Sequence, residues 1–222
     1  MSRRRKTMKY VKFAIMFSIW LFIALQMPGR AQEKKSSEAD FNNPQGFSSL
    51  IKGDYDQAIS EYTTAISSNP RNANAYFYRG VAYFRKKRYD EAISDYSKAI
   101  EIDPRYAEAY YHKGVANHDK GFFDQALADY SKAIEIDPRY AEAYNNRGVV
   151  YRQQGSLDRA VADYTRAIEL NAGLAEAYNN RGLVYLWQKE YGKARQDFEK
   201  LQSLGGQVKP EFIKMLRESS GK

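Results

Sequence analysis

Residues able to do acid, base or metal chemistry are few in this chain and poorly spaced for it. The two histidines, His112 and His118, stand six residues apart. On a helix of 3.6 residues per turn their side chains diverge by about 120°, which does not suit a metal pair, so they are read as surface or packing residues. Glu101, Glu135 and Glu169 recur at one interval, the pattern of a solvated face rather than of an acid and a base held in different environments. No glycine-rich phosphate loop leads into a helix. The sequence has no cysteine, which removes disulfides, thiolate nucleophiles, thiolate metal sites and lipid-modified cysteine together. Catalytic residues, a cofactor and a metal are therefore not expected. What remains is non-covalent chemistry. Two amide pairs, Asn145-Asn146 and Asn179-Asn180, offer donors and acceptors that can hold a peptide backbone, and Phe77, Phe84 and Tyr111 offer apolar contact.

The elements that must position these groups follow from one stretch, Ser97–Tyr110, which recurs without change at Ser131–Tyr144. The repeat is 34 residues, and self-similarity at such a period signals stacked supersecondary units. Sliding by 34 aligns Gly80, Gly114, Gly148 and Gly182. It also aligns Ala92, Ala126, Ala160 and Ala194; Ala65, Ala99, Ala133 and Ala167; and the aromatics Tyr96, Tyr130, Tyr164 and Phe198. A proline column runs Pro70, Pro104 and Pro138 until Ala172 breaks it. Each unit reads as two helices, in the first full unit roughly Asn74–Lys87 and Tyr89–Ile102. Proline ends the second helix because it lacks a donor and disfavours helical backbone in the residue before it. Glycine inside a helix costs about 1 kcal/mol against alanine, so four aligned glycines point to close packing that offsets the loss.

These columns resemble the tetratricopeptide repeat, with one departure: leucine often precedes the family's glycine, where this chain has Arg79, Lys113, Arg147 and Arg181. The resemblance implies an all-α fold, a right-handed solenoid of antiparallel helix pairs, whose first helices line a concave groove. On that reading Phe77, Tyr78, Val81, Phe84 and Arg85 face the groove. The same columns give Tyr111, His112, Val115, His118 and Asp119, then Asn145, Asn146, Val149, Arg152 and Gln153, then Asn179, Asn180, Leu183, Leu186 and Trp187. Some relatives clamp a terminal carboxylate with lysine and asparagine, but Val81, Val115 and Val149 occupy a column where that clamp needs asparagine. Others hold a peptide backbone with a row of asparagines, which Asn146 and Asn180 match and Tyr78 and His112 do not. The candidate peptide-binding residues are thus Phe77, Tyr78, Phe84, Tyr111, Asn145, Asn146, Arg152, Asn179, Asn180 and Trp187.

At the N-terminus six basic residues from Arg3 to Lys12 precede an apolar run of 15 residues, Phe13–Met27, with no acidic residue before Glu33. A spanning helix needs about 20, so residues 1–31 read as a secretory signal peptide cleaved near Ala31, or alternatively as a retained anchor. Either version puts the repeats outside the cytoplasm: periplasmic, secreted or lumenal, or anchored by one helix. The segment also carries the charge. Of the net +8, seven basic residues and no acidic one fall in 1–31, leaving 28 basic against 27 acidic. A basic face for nucleic acid is therefore not expected, and a membrane enters only through an uncleaved N-terminus. Residues 32–43 read as a polar linker, 44–72 as a degenerate repeat, and 73–106, 107–140, 141–174 and 175–208 as four repeats. Residues 209–219 read as a capping helix whose stripe is Phe212, Met215 and Leu216. The expected partners are protein or peptide segments, with homo-oligomerisation the alternative.

Overall fold

The computed structural model describes residues 43–220; the signal or anchor segment and nearly all of the linker lie outside the described residues. Every described element is a helix. They are α1 (Pro44–Lys52), α2 (Tyr55–Ser68), α3 (Ala73–Arg85), α4 (Tyr89–Ile102), α5 (Ala107–Asp119), α6 (Phe123–Ile136), α7 (Ala141–Gln153), α8 (Leu157–Leu170), α9 (Ala175–Trp187), α10 (Tyr191–Ser203) and α11 (Pro210–Ser220). Each packs on its sequence neighbours, so the stack is a solenoid. Asp56, Asp90, Asp124 and Asp158 occupy the first turns of α2, α4, α6 and α8, where a negative charge suits the helix dipole. These helices end on an extended residue, Asn69, Asp103, Asp137 or Asn171.

Within a unit the glycine is a seat for an aromatic ring. A Cβ at Gly148 would stand 2.8 Å from Tyr164 Cε1, closer than packed atoms approach. The same relation joins Gly80 to Tyr96, Gly114 to Tyr130 and Gly182 to Phe198. Each ring is buried, and removing such a side chain from water is worth about 1.5–3 kcal/mol. The small residues Ala92, Ala126, Ala160 and Ala194 sit beside the rings with no exposed surface.

The cationic column before the glycine, noted in the sequence only as a departure, is a structural device. Arg147 donates from Nε and Nη2 to both oxygens of Asp163 at 2.8 Å, and from Nη1 to the Ser131 hydroxyl at 3.1 Å on the preceding second helix. Arg79 ties Asp95 to Thr63, and Arg181 ties Asp197 to Thr165, in the same way. All three aspartates are buried. In the remaining unit Lys113 reaches one oxygen of Asp129 at 3.3 Å, and Asn117 donates to the other at 2.7 Å. Asn117 occupies the column of Tyr83, Tyr151 and Tyr185, so the shorter cation comes with a second donor. A further link ties the end of each of α3, α5, α7 and α9 to the start of the preceding second helix: Lys86 to Asp56, Lys120 to Asp90, Gln154 to Asp124 and Gln188 to Asp158.

At the N-terminal end Asn43 caps α1, accepting from the Gly46 amide at 2.9 Å and donating to the Glu61 carbonyl at 3.1 Å. At the other end Phe212 stacks on Phe198 at 6.1 Å and Leu216 is buried. Met215, expected in that stripe, is 45% exposed. The stripe is instead Phe212, Leu216 and Val208, because the residues after Gly205 bring Val208 against the pair before α11 begins.

Candidate binding groove

The direction of curvature follows from which helices touch. The first helices of successive units, α3, α5, α7 and α9, approach one another directly, and no comparable contact joins the second helices. The first helices therefore form the inner side of the stack. Across each junction residues 35 apart meet. His118 Nε2 lies 2.8 Å from Gln153 Oε1, Asn146 Nδ2 donates to the Tyr111 hydroxyl at 3.0 Å, and Asn180 Nδ2 donates to Asn145 Oδ1 at 3.0 Å. Asn145 in turn donates to Asn146 Oδ1 at 3.2 Å. The result is a ladder of amides, Asn180 to Asn145 to Asn146 to Tyr111, spanning α9, α7 and α5.

This geometry sorts the candidate residues. Asn146, Asn179, Asn180, Arg152, Tyr78, Phe84 and Tyr111 are partly exposed on the inner side, and Trp187 is 52% exposed at its edge. Phe77 and Asn145 correct the sequence reading, being buried rather than open to the groove. Phe77 lies among Tyr96, Tyr106 and His112, at centroid distances of 5.8, 5.0 and 5.3 Å, because the next unit leans over it. Asn145 is closed in by its two asparagine partners. The guanidinium of Arg152 lies 5.5 Å from the ring centre of Trp187, a cation–π contact.

Local electrostatics follow from burial. His112 is surrounded by Phe77, Tyr96 and Tyr111; burial, with Arg85 adding to it, lowers its pKa to about 4. Burial pushes the Tyr111 and Tyr130 phenols up. Glu142, partly buried in the first turn of α7, is shifted up by burial and then by Glu176. Among the described residues no group of His, Cys, Asp and Glu could hold a metal ion, and no helix is long and apolar enough to cross a membrane.

Family models described as tetratricopeptide repeat match residues 52–107 and 175–205, and one described as TPR repeat matches 118–155 and 150–189. No curated protein matches the chain. Among solved structures, MamA is 30% identical, the match covering 72% of this chain and 94% of MamA at a TM-score of 0.66. YrrB, described as a TPR protein with an unusual peptide-binding site, is 21% identical over 87% of this chain and 97% of its own, at a TM-score of 0.62. PilF of Pseudomonas aeruginosa is 20% identical over 84% and 90%, at 0.72. The last two show likeness of fold alone. With its glycine seats, small columns and helix pairs repeated at 34 residues, and with MamA matched over nearly its whole length, the chain belongs to the tetratricopeptide repeat family.

Proposed function

We propose that this chain is a scaffold that captures protein or peptide segments along the inner side of its first helices, and that residues 1–31 export or anchor it with the repeats outside the cytoplasm. The observation that carries the first part is the spare capacity of the amide ladder. Asn146 and Asn180 each commit one N–H to the neighbouring unit. That leaves Asn180 a second donor and its oxygen, and Asn146, whose oxygen already accepts from Asn145 and whose amide also reaches the Tyr130 hydroxyl, one acceptor site, at the same place in successive units. A backbone laid across the first helices presents matching groups at regular spacing. Tyr78, Phe84 and Tyr111 continue the same side with aromatic surface.

The test is site-specific photocrosslinking in cells, with the reactive group placed at Gln153 or Asn179 on the inner side and at Glu135 or Glu169 on second helices. Discrete adducts from the inner positions only are expected. Equal adducts from both sides, or none from the inner side, overturn the groove reading. Export is tested separately by the intact mass of protein recovered from the cell envelope. A mature species beginning near Gln32 is expected for a cleaved signal and a full-length, detergent-requiring one for an anchor, and a soluble cytoplasmic species rejects both.

A further inference from the structure

Four arginines among the described residues are partly buried: Arg79, Arg147, Arg152 and Arg181. Three of them close on an aspartate with paired hydrogen bonds of 2.7–2.9 Å. Arg152 faces no carboxylate, and its Nε is shut away from water with no acceptor in hydrogen-bonding geometry. Against it lies the hydroxyl of Tyr164, on a side chain with no exposed surface, which the guanidinium approaches closely enough to act on but not in full hydrogen-bonding geometry. Burial raises that phenol's pKa to about 12, and the neighbouring guanidinium of Arg152, by its charge and as a hydrogen-bond donor, acts the other way. Partial burial of a cation without a counter-ion is costly, and elsewhere this chain avoids the cost.

Position in the helix does not explain Arg152. A cation in the last turn of α7 gains from the helix dipole, yet the same column holds Phe84, His118 and Leu186 in the other units. Nor is the guanidinium neutralised by its neighbours. On α5, His118 is engaged with Gln153 and lies 3.7 Å from Asp119. Glu142 is ten residues away along α7, about 15 Å at 1.5 Å per residue. Arg152 is instead approached by the Tyr164 hydroxyl and by Trp187, whose ring centre lies 5.5 Å from the guanidinium carbon and which keeps half of its own surface open. A guanidinium carries parallel N–H donors that match a carboxylate, and the indole beside it offers a flat apolar platform.

We propose that Arg152 and Trp187 form a subsite for an acidic side chain, aspartate or glutamate, within the captured segment, with an apolar residue next to it lying on the indole. The inference rests on the groove reading above and adds the chemistry of one place in it. That place stands one helical turn from Val149, whose column departs from the terminal-carboxylate clamp.

The probe is a library of random dodecapeptides selected on the full chain; the enriched peptides are then synthesised with free and with amidated C-termini. Enriched peptides should share an internal acidic residue. Replacing it by its amide should weaken binding about tenfold or more. Arg152→Gln should weaken the parent peptide by a similar factor and the amide peptide hardly at all, while Arg152→Lys should restore part of the loss. Melting curves of both variants show whether the solenoid is intact, and Trp187→Leu, which leaves the cation in place, should weaken the same peptides. Enriched peptides that bind equally well with the amide, or that lose the same factor on Arg152→Gln whichever residue they carry, overturn the subsite and leave the groove standing. Loss on C-terminal amidation alone assigns the contact to a chain terminus and also overturns it. If no peptide is enriched, the groove reading itself fails and the subsite with it.

Discussion

Arg147→Lys is the substitution that tests the packing logic most sharply, because the chain already contains its compensated form. In the parent, Arg147 satisfies both oxygens of Asp163 and reaches Ser131. A lysine there should behave as Lys113 does, with one contact at about the 3.3 Å seen to Asp129, leaving the second oxygen of a buried carboxylate without a donor. An unsatisfied buried acceptor costs about 1–3 kcal/mol, more when charged. Ser131 has a ready alternative, since its counterpart Ser97 bonds back to the Ile93 carbonyl at 2.7 Å. Most of the loss should therefore come from Asp163. In the Lys113 unit the missing donor is supplied by Asn117 at 2.7 Å, so Tyr151→Asn should supply it to Asp163.

Tyr151→Asn alone also destabilises, because its partly buried ring packs against the cluster of Ala160, Tyr164 and Val184 and lies by the guanidinia of Arg147 and Arg159 at 5.9 and 5.7 Å. The double variant should nevertheless lose at least about 1 kcal/mol less than the two single losses combined, a coupling well above the 0.3–0.5 kcal/mol scatter of independent sites. Urea unfolding of the parent, both single variants and the double, with the slope held common, measures it. In a stack of units the whole curve has to be fitted, because neighbouring units share the effect. Additive losses within that scatter would refute the reasoning that Lys113 and Asn117 act as a pair.

Other outcomes follow from the same contacts. His112→Asn takes the residue of Asn146 and Asn180 in its column. The folded-state pKa of His112, about 4, lies below the unfolded value near 6.5, so between these values the unfolded chain binds more protons and stability falls as pH is lowered through the window. The variant should lose about 2–3 kcal/mol less than the parent between pH 7 and pH 4, read from melts at each pH, and an unchanged pH dependence would mean that His112 is not held neutral. Asn146→Ala with Asn180→Ala should weaken a captured segment and also remove two cross-unit hydrogen bonds, costing about 1–3 kcal/mol in all; undiminished stability in denaturant would show that the ladder contributes nothing. Truncation after Leu204 removes the cover that Val208, Phe212 and Leu216 give Phe198 and Leu201 and should cause aggregation on sizing columns. A truncated chain as monodisperse and heat-stable as the parent would make α11 a mere tail.

The helices were legible because their stops are written in residue types. The span Tyr89–Ile102 is read from the sequence and found at the same residues, since Asp103-Pro104 admits no further helical turn. The first helix of that unit ends two residues early, at Arg85 rather than Lys87, because Lys87 adopts a positive φ of 60° where α5 and α7 are followed by Gly121 and Gly155. The inner side was only half legible. Periodicity gives the angle of a residue around its own helix, but the burial of Phe77 and Asn145 depends on how closely the next unit leans over it, which no single-helix pattern contains. The arginine–aspartate pairs carried a usable signal, two columns of opposite charge 16 residues apart, the one deviation to Lys113 being matched by a deviation at Asn117.

Comparison of the units within this one chain locates where its design is free to vary. The identical stretches Ser97–Tyr110 and Ser131–Tyr144 build the end of a second helix, the turn and the opening of the next first helix, where every unit faces the same packing problem. The inner columns change, and they change in kind along the stack. In the N-terminal half the junctions between first helices are aromatic, with Phe77 on His112 at 5.3 Å and Phe47 edge-on to Tyr78 at 5.7 Å. In the C-terminal half they are the amide ladder ending beside Arg152 and Trp187. Both arrangements hold neighbouring helices together, so stability alone does not require the switch. A segment lying in the groove would meet apolar surface at one end and hydrogen-bonding and cationic groups at the other, which fixes the direction in which an amphipathic segment binds. Peptides tagged at either end and crosslinked from Phe84 or Asn179 should therefore each react at one site only, and reaction of either end at both sites would remove the argument for direction.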